Sequence, residues 1–210
     1  TDSVYAAGEV GAWTQLATYD TMTDTTGVNV VHGDAVDVEL TPDPETVTAG
    51  ESVTYTLTAE DGFGNTWDVT AESSFSIQAG AGGWMAANIY TSQNVGTWDV
   101  TGAYAGLSDM AELTVEHADA VDVDLTPDPE TVTAGESVTY TLTATDTFGN
   151  AWDATAEGGY DIEDGAGGSF AANAYTSEFQ GTWVVTGTVE GASDTALLTV
   201  GRAAPGAGVR

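Results

Sequence analysis

Residues 34–70 read DAVDVELTPDPETVTAGESVTYTLTAEDGFGNTWDVT, and residues 119–155 read DAVDVDLTPDPETVTAGESVTYTLTATDTFGNAWDAT. The offset of 85 holds without a gap from 34–118 onto 119–203, with 59 identities in 85 positions. Self-similarity at a fixed period marks tandem copies of one structural unit. The same register run backwards pairs Tyr5 with Tyr90, Gly11 with Gly96, Trp13 with Trp98, Tyr19 with Tyr104, Asp24 with Asp109, Val30 with Val115 and His32 with His117. The expected organisation is therefore the C-terminal half of a preceding repeat at 1–33, complete repeats at 34–118 and 119–200, and a linker or tail at 201–210. A half repeat exposes an apolar face and unpaired strand edges, so its missing strands are expected from a preceding segment or a neighbouring subunit.

Within a repeat the hydrophobic period is two. Val36, Val38 and Leu40 alternate with polar neighbours, and Val53, Tyr55, Leu57 and Ala59 alternate with threonines, as half-buried strands do. Trp98, Val100 and Gly102 make a third run, and Ala111, Leu113 and Val115 a fourth; Ala105-Gly106-Leu107-Ser108 between them suggests a hairpin turn. No stretch carries a helical 3.6 period. Turn signals at Pro42-Asp43-Pro44, Ala49-Gly50, Gly62–Asn65 and Gly80–Gly83 cut each repeat into about seven strands. The predicted fold is all-β, tandem immunoglobulin-like Greek-key β-sandwiches. Trp67, Phe75, Trp98 and Tyr55, with their counterparts Trp152, Tyr160, Trp183 and Tyr140, are expected in or beside the cores.

Composition narrows the function. The 210 residues hold 33 Asp plus Glu against 2 Lys plus Arg, for a formal charge of −31 at pH 7. Nucleic acids and anionic membranes are held by Lys and Arg, so neither is an expected partner. With 41% hydrophobic and 9% aromatic residues the chain has the material for cores, unlike a disordered acidic tail. Solvent, salt or divalent metal must screen the carboxylates, which suits an extracellular or saline setting. The lack of cysteine removes disulfides, thiolate metal sites and a cysteine nucleophile. No apolar run approaches the roughly 18 residues of a membrane span, and no signal peptide opens at Thr1, so any export signal or anchor is expected to be removed or to lie outside these residues.

The elements LTPDPETVTAGESVTYTLTA, DGFGNTWDVT and GTWDVTGAYAGLSDMAELTV resemble the bacterial and archaeal immunoglobulin-like repeats of adhesins, S-layer-associated proteins and secreted multidomain proteins. The likeness covers nearly the whole chain and specifies fold better than function. It implies a rigid stalk, a surface layer or a fibre, with copies of itself or other repeats of the same polypeptide as partners. The Lys-to-Asn isopeptide crosslink of some surface pilins is excluded, because lysine is absent.

The chemically suggestive residues have plainer readings. Asp61 with Asp68, or Asp161, Glu163 and Asp164, could pair as glycosidase carboxylates. Among 33 acidic residues such pairs arise by chance, and the turn positions Asp61 and Asp146 suit backbone hydrogen bonding better. His32 and His117 sit at equivalent junctions, where a metal or pH-switch role competes with ordinary solvation. Calcium is the possible cofactor, through Asp34, Asp37, Glu39, Asp119, Asp122 and Asp124, although no EF-hand spacing is present. The Gly80–Gly83 loop, matched at Gly165–Gly168, lacks the lysine and helix of a phosphate cradle. Trp84, replaced by Ser169 in the second copy, could stack on sugars but better suits contact with a neighbouring repeat or subunit. The function expected is a non-enzymatic structural module of an extracellular surface protein; the alternative is an adhesive or carbohydrate-binding module.

Overall fold

The computed structural model describes residues 4–202, in two compact units divided between Glu116 and His117. Of the expected tail, residues 203–210 lie outside the described residues. No helix among the described residues is long and apolar enough to cross a membrane.

The first unit opens with a hairpin of β1 (Gly11–Tyr19) and β2 (Met22–Val30), whose two strands pair with each other in a sheet of their own. Ten strand segments follow: β3 (Ala35–Thr41), β4 (Glu45–Thr48), β5 (Ser52–Thr54), β6 (Thr56–Asp61), β7 (Thr66–Asp68), β8 (Ser74–Ile77), β9 (Trp84–Ala86), β10 (Ile89–Thr91), β11 (Gly96–Tyr104) and β12 (Leu107–Glu116), with one 3-10 turn at Thr70–Glu72. One side of the sandwich is the sheet β4-β12-β11-β8; the other is β3-β6-β7 together with β5-β10-β9. β5 and β6 are halves of one strand interrupted at Tyr55, and the first strand is divided into β3 and β4 at Pro42–Pro44. Those two breaks and the short added β7 account for ten segments where about seven strands were expected. The architecture is the all-β, immunoglobulin-like Greek-key sandwich that the alternation predicts.

The second unit repeats this arrangement. Its segments are β13 (Ala120–Thr126), β14 (Glu130–Thr133), β15 (Ser137–Thr139), β16 (Thr141–Asp146), β17 (Ala151–Asp153), β18 (Gly159–Ile162), β19 (Ser169–Ala171), β20 (Ala174–Thr176), β21 (Gly181–Val189) and β22 (Ala192–Gly201). Its sheets are β14-β22-β21-β18, β13-β16-β17 and β15-β20-β19.

The threonine alternation works as its period requires. Val53, Tyr55, Leu57 and Ala59 are buried while Thr54 and Thr56 face solvent, and Val100, Ala111, Leu113 and Val115 close the core from the opposite sheet. The alternation fails at Val36, which is 59% exposed, as is Val121 at 62%. A bulge between Ala35 and Asp37, repeated between Ala120 and Asp122, adds a residue that turns these valines outward. Gly102 permits close packing: a Cβ there would lie 2.9 Å from Leu57 Cδ1 and 3.1 Å from Leu40 Cδ1. Trp152, Tyr160 and Trp183 are partly buried against the core cluster of the second unit, and Tyr140 lies within it.

Candidate functional site: the anchored linker and the open hairpin

Asp61 ends β6 and is only 2% exposed. Its Oδ1 accepts Phe63 N–H at 2.9 Å, Asn65 N–H at 3.0 Å and Asn65 Nδ2 at 3.0 Å, which ties the Gly62–Asn65 turn around the carboxylate. Its Oδ2 accepts Gly33 N–H at 2.7 Å and Asn65 Nδ2 at 2.9 Å, which binds the linker to the sandwich. The Gly33 N–H bond is the largest influence holding this carboxyl well below the usual range; burial opposes it, and the Asn65 and Phe63 donors reinforce it. Asn65 extends the knot by accepting Val10 N–H at 3.1 Å and donating to Gly8 O at 2.9 Å. Directly before Gly33, the His32 ring lies on Trp67, with centroids 3.7 Å apart and planes 8° from parallel.

The second unit builds the same anchor on its own linker. Asp146 Oδ2 accepts Ala118 N–H at 3.0 Å and Asn150 Nδ2 at 2.8 Å, while Oδ1 accepts Phe148 N–H and Asn150 N–H. Burial is the largest single influence on this carboxyl and pushes it up, but the Asn150, Ala118 and Phe148 donors together outweigh burial and leave it lowered. His117 lies on Trp152 at 3.7 Å and 10°. His117 and Ala118 thus pack with the sandwich that follows them, although the 85-residue register counts them with the preceding repeat.

The remaining candidates are scattered. Asp68 spends Oδ1 on Thr70 N–H at 2.8 Å, within its own turn, so Asp61 and Asp68 each serve local backbone. Asp161, Glu163 and Asp164 are exposed. Asp34, Asp119, Asp122 and Asp124 are exposed, and Asp37 and Glu39 line an open groove of about 330 Å³ with Val38, Thr58, Glu60, Thr66 and Asp109. Among the described residues no three His, Asp or Glu side chains gather as a metal ion would require. The Gly80–Gly83 loop is bound from within, by Tyr90 Oη donating to Gly82 O at 3.0 Å and Asn94 Nδ2 donating to Gly80 O at 2.8 Å. Trp84 is 65% exposed on β9, the edge strand of its sheet.

Two clamps went unread in the sequence. Asp109 Oδ2 accepts Leu40 N–H at 2.8 Å and Asp43 Oδ1 accepts Glu112 N–H at 2.7 Å, so one carboxylate from each half of the repeat holds the other half. Asp194 with Leu125 and Asp128 with Leu197 do the same in the second unit. The available signal was the recurrence of aspartate at 24, 109 and 194.

The hairpin β1–β2 is built like the closing hairpins of both repeats. Trp13 pairs with Val28 as Trp98 pairs with Leu113 and Trp183 with Leu198. Each indole Nε1 donates to the carbonyl four residues earlier, and Asp20, Ala105 and Glu190 share the left-handed turn position. Its surroundings differ: Leu16, Tyr19 and Met22 are exposed, Tyr19 by 79%.

No family model and no curated protein matches the chain. Among solved structures it is similar to surface layer protein SbsC, domains 1–6, at 16% identity and a TM-score of 0.37, covering 90% of this chain and 31% of that one. It is also similar to the S-layer protein rSbsC(31–844), at 16% identity and 0.36, over 89% and 31%. A third is the protocadherin gamma B2 extracellular cadherin domains 1–5, at 14% and 0.41, over 86% and 42%. The chain thus spans about a third of the first two. At these values the likeness assigns neither family nor function.

Proposed function

We propose that the chain is a non-enzymatic structural module of an extracellular surface protein, serving as part of a stalk, a surface layer or a filament, with other repeats of its polypeptide or further copies as partners. The observation that carries this reading is the duplicated linker anchor. In each unit the residues entering the sandwich are fixed by a buried aspartate and a His–Trp stack, so the same chemistry holds the entering segment in place twice. The extreme acidity fits an exterior or saline medium, where charge screening is supplied by ions. The hairpin β1–β2 is the back half of a further repeat, whose front strands come from a preceding segment or a neighbouring molecule.

A second reading, an adhesive or carbohydrate-binding module, is favoured by one observation: Trp84 stands exposed on an edge strand. Electron microscopy of the native surface polypeptide, with and without a calcium chelator, separates the two. Regular fibres or a lattice support the structural reading, and their loss on chelation implicates calcium. Dispersed particles in both conditions, with sugar-dependent quenching of Trp84 fluorescence, favour the binder.

A further inference from the structure

The hairpin β1–β2 differs from its two counterparts at the positions that would meet a partner. In the first sandwich the closing hairpin is covered by β4, which pairs parallel with β12, by β8, which pairs antiparallel with β11, and by Leu40 and Leu57 packed on Gly102. Shifted by 85 residues, the buried positions Val100, Gly102 and Ala111 become Gln15, Ala17 and Thr26, all exposed.

Some of the docking chemistry is retained. Asp24 takes the place of Asp109 and Asp194, the acceptors for the Leu40 and Leu125 N–H groups. Its Oδ1 accepts Thr25 N–H at 2.9 Å, so the second oxygen would be the one to take the role that Asp109 Oδ2 plays. Gly27 N–H takes the place of Glu112 N–H and Leu197 N–H, the donors to Asp43 and Asp128. A segment of the LTPDPET type therefore has both of its anchor points on the hairpin.

The fit to this chain's own front halves is poorer. A Cβ at Gly102 would stand 2.9 Å from Leu57 Cδ1, and one at Gly187 would stand 2.8 Å from Leu142 Cδ1 and 2.9 Å from Leu125 Cδ1. Ala17 carries that Cβ. Both leucines of each sandwich are sealed in the core, at 0% or 1% exposure, so their methyl ends would have to shift within packed surroundings. Gln15 in place of Val100 would also bury an amide that needs partners the copied strands lack.

We propose, resting on the half-repeat reading above, that the hairpin is completed by the front half of a repeat whose sequence differs from those at 34–85 and 119–170. That segment keeps an LTPDPET-like clamp for Asp24 and Gly27. It carries a residue smaller than leucine where Leu40 or Leu57 stands, and a hydrogen-bonding side chain facing Gln15. Ala17 and Gln15 are thus specificity-determining residues, which discriminate against the chain's own front halves and against those of a second copy.

The test places a copy of residues 34–85 directly before Thr1 of the full chain, so that Thr1 follows the copy as Ala86 follows Met85. A second version carries Gln15→Val, Ala17→Gly and Thr26→Ala in the hairpin. Amide hydrogen exchange at Gly27 and Asn29, whose counterparts Glu112 and Thr114 face β4, reports completion together with Trp13 fluorescence. The expected result is protection of these amides in the substituted version that exceeds the unsubstituted one by about tenfold or more, the scale on which overpacking acts. Equal protection in both versions overturns the specificity, as does concentration-dependent self-association of the unmodified chain that buries Trp13. If the substituted hairpin also stays unprotected, the half-repeat reading itself fails.

Discussion

The His32 imidazole lies flat on the Trp67 indole, 3.7 Å between centroids and 8° from parallel, one residue before Gly33 donates to Asp61. Stacking of this kind contributes about 0.5–1.5 kcal/mol beyond the area it buries. His32→Ala should lower the unfolding free energy of the first unit by that order, read from urea melts, and His117→Ala that of the second. His32→Phe, which keeps a flat ring, should restore most of the loss. A phenylalanine variant as weak as the alanine one would show that the ring stack is not the stabilising element.

Acid should act on the anchors in a defined direction. The Asp61 and Asp146 carboxyls are lowered from an ordinary 3.8 in the folded chain, so the unfolded chain takes up their protons first as pH falls. Their contribution is complete above about pH 5 and is lost as the pH drops through the ordinary value and below. Melting temperature should rise slightly from pH 7 to 5 as general repulsion eases, then fall steeply. Asp61→Asn with Asp146→Asn should lower stability at pH 7 and flatten the acid limb; a limb of unchanged slope would assign it to other carboxylates.

Four buried tyrosines divide into two kinds. Tyr90 Oη donates to Gly82 O at 3.0 Å and Tyr175 Oη donates to Gly167 O, whereas the hydroxyls of Tyr55 and Tyr140 are buried without a protein partner. Burial first, then Glu45 for one and Glu130 for the other, pushes the latter pair up to about 12. Removing a bonded hydroxyl costs about 1 kcal/mol, while removing an unbonded one costs nothing or stabilises. Tyr90→Phe and Tyr175→Phe should therefore lower the melting temperature, and Tyr55→Phe and Tyr140→Phe should hold or raise it. Calorimetry of the four variants decides.

Gly102→Ala should destabilise the first sandwich by about 1–3 kcal/mol through overpacking against Leu57 and Leu40. Combining it with Leu57→Ala should give less loss than the sum of the two single changes. Strict additivity in a double-mutant cycle would mean that the two side chains do not meet.

Salt should stabilise the fold. With a formal charge of −31, repulsion is strongest when the Debye length is long, about 30 Å at 0.01 M, and weak at about 3 Å in 1 M salt. Thermal melts in sodium chloride should climb across that range and level off towards its end. A flat series would show that the carboxylates lie too far apart to repel.

The fold was largely legible because a period of two with threonine on the outer face admits little besides a half-buried strand, and because two copies at a fixed offset exclude chance. Val36 defeated that reading: a bulge is a backbone event, and a valine one residue from the strand's start looks the same in either register. Asp61 and Asp146 were legible as turn acceptors because the Asp-x-Phe-Gly-Asn pattern folds around the carboxylate. Their second role, holding Gly33 and Ala118, joins residues 28 positions apart and leaves no local trace. The clamps of Asp109 on Leu40 and Asp43 on Glu112 span 69 positions and were hidden for the same reason. The acidic stretch at 34–39 looked ligand-like because composition cannot distinguish carboxylates that converge from carboxylates that are spread over a solvated face.

Residues 40–59 and 125–144 are identical, so the strands they form carry no label saying which back half is theirs. During folding, these strands meet the same gap over either closing hairpin, since Gly102 and Gly187 admit the same leucines. Tethering favours each front half's own hairpin, because the shorter loop gives the higher effective concentration, and contacts outside the shared stretch, such as Glu190 with the Ala120 N–H, add to it. Correct assembly of these repeats therefore leans on connectivity, and strand exchange between copies is the misfolding route that their shared stretch opens.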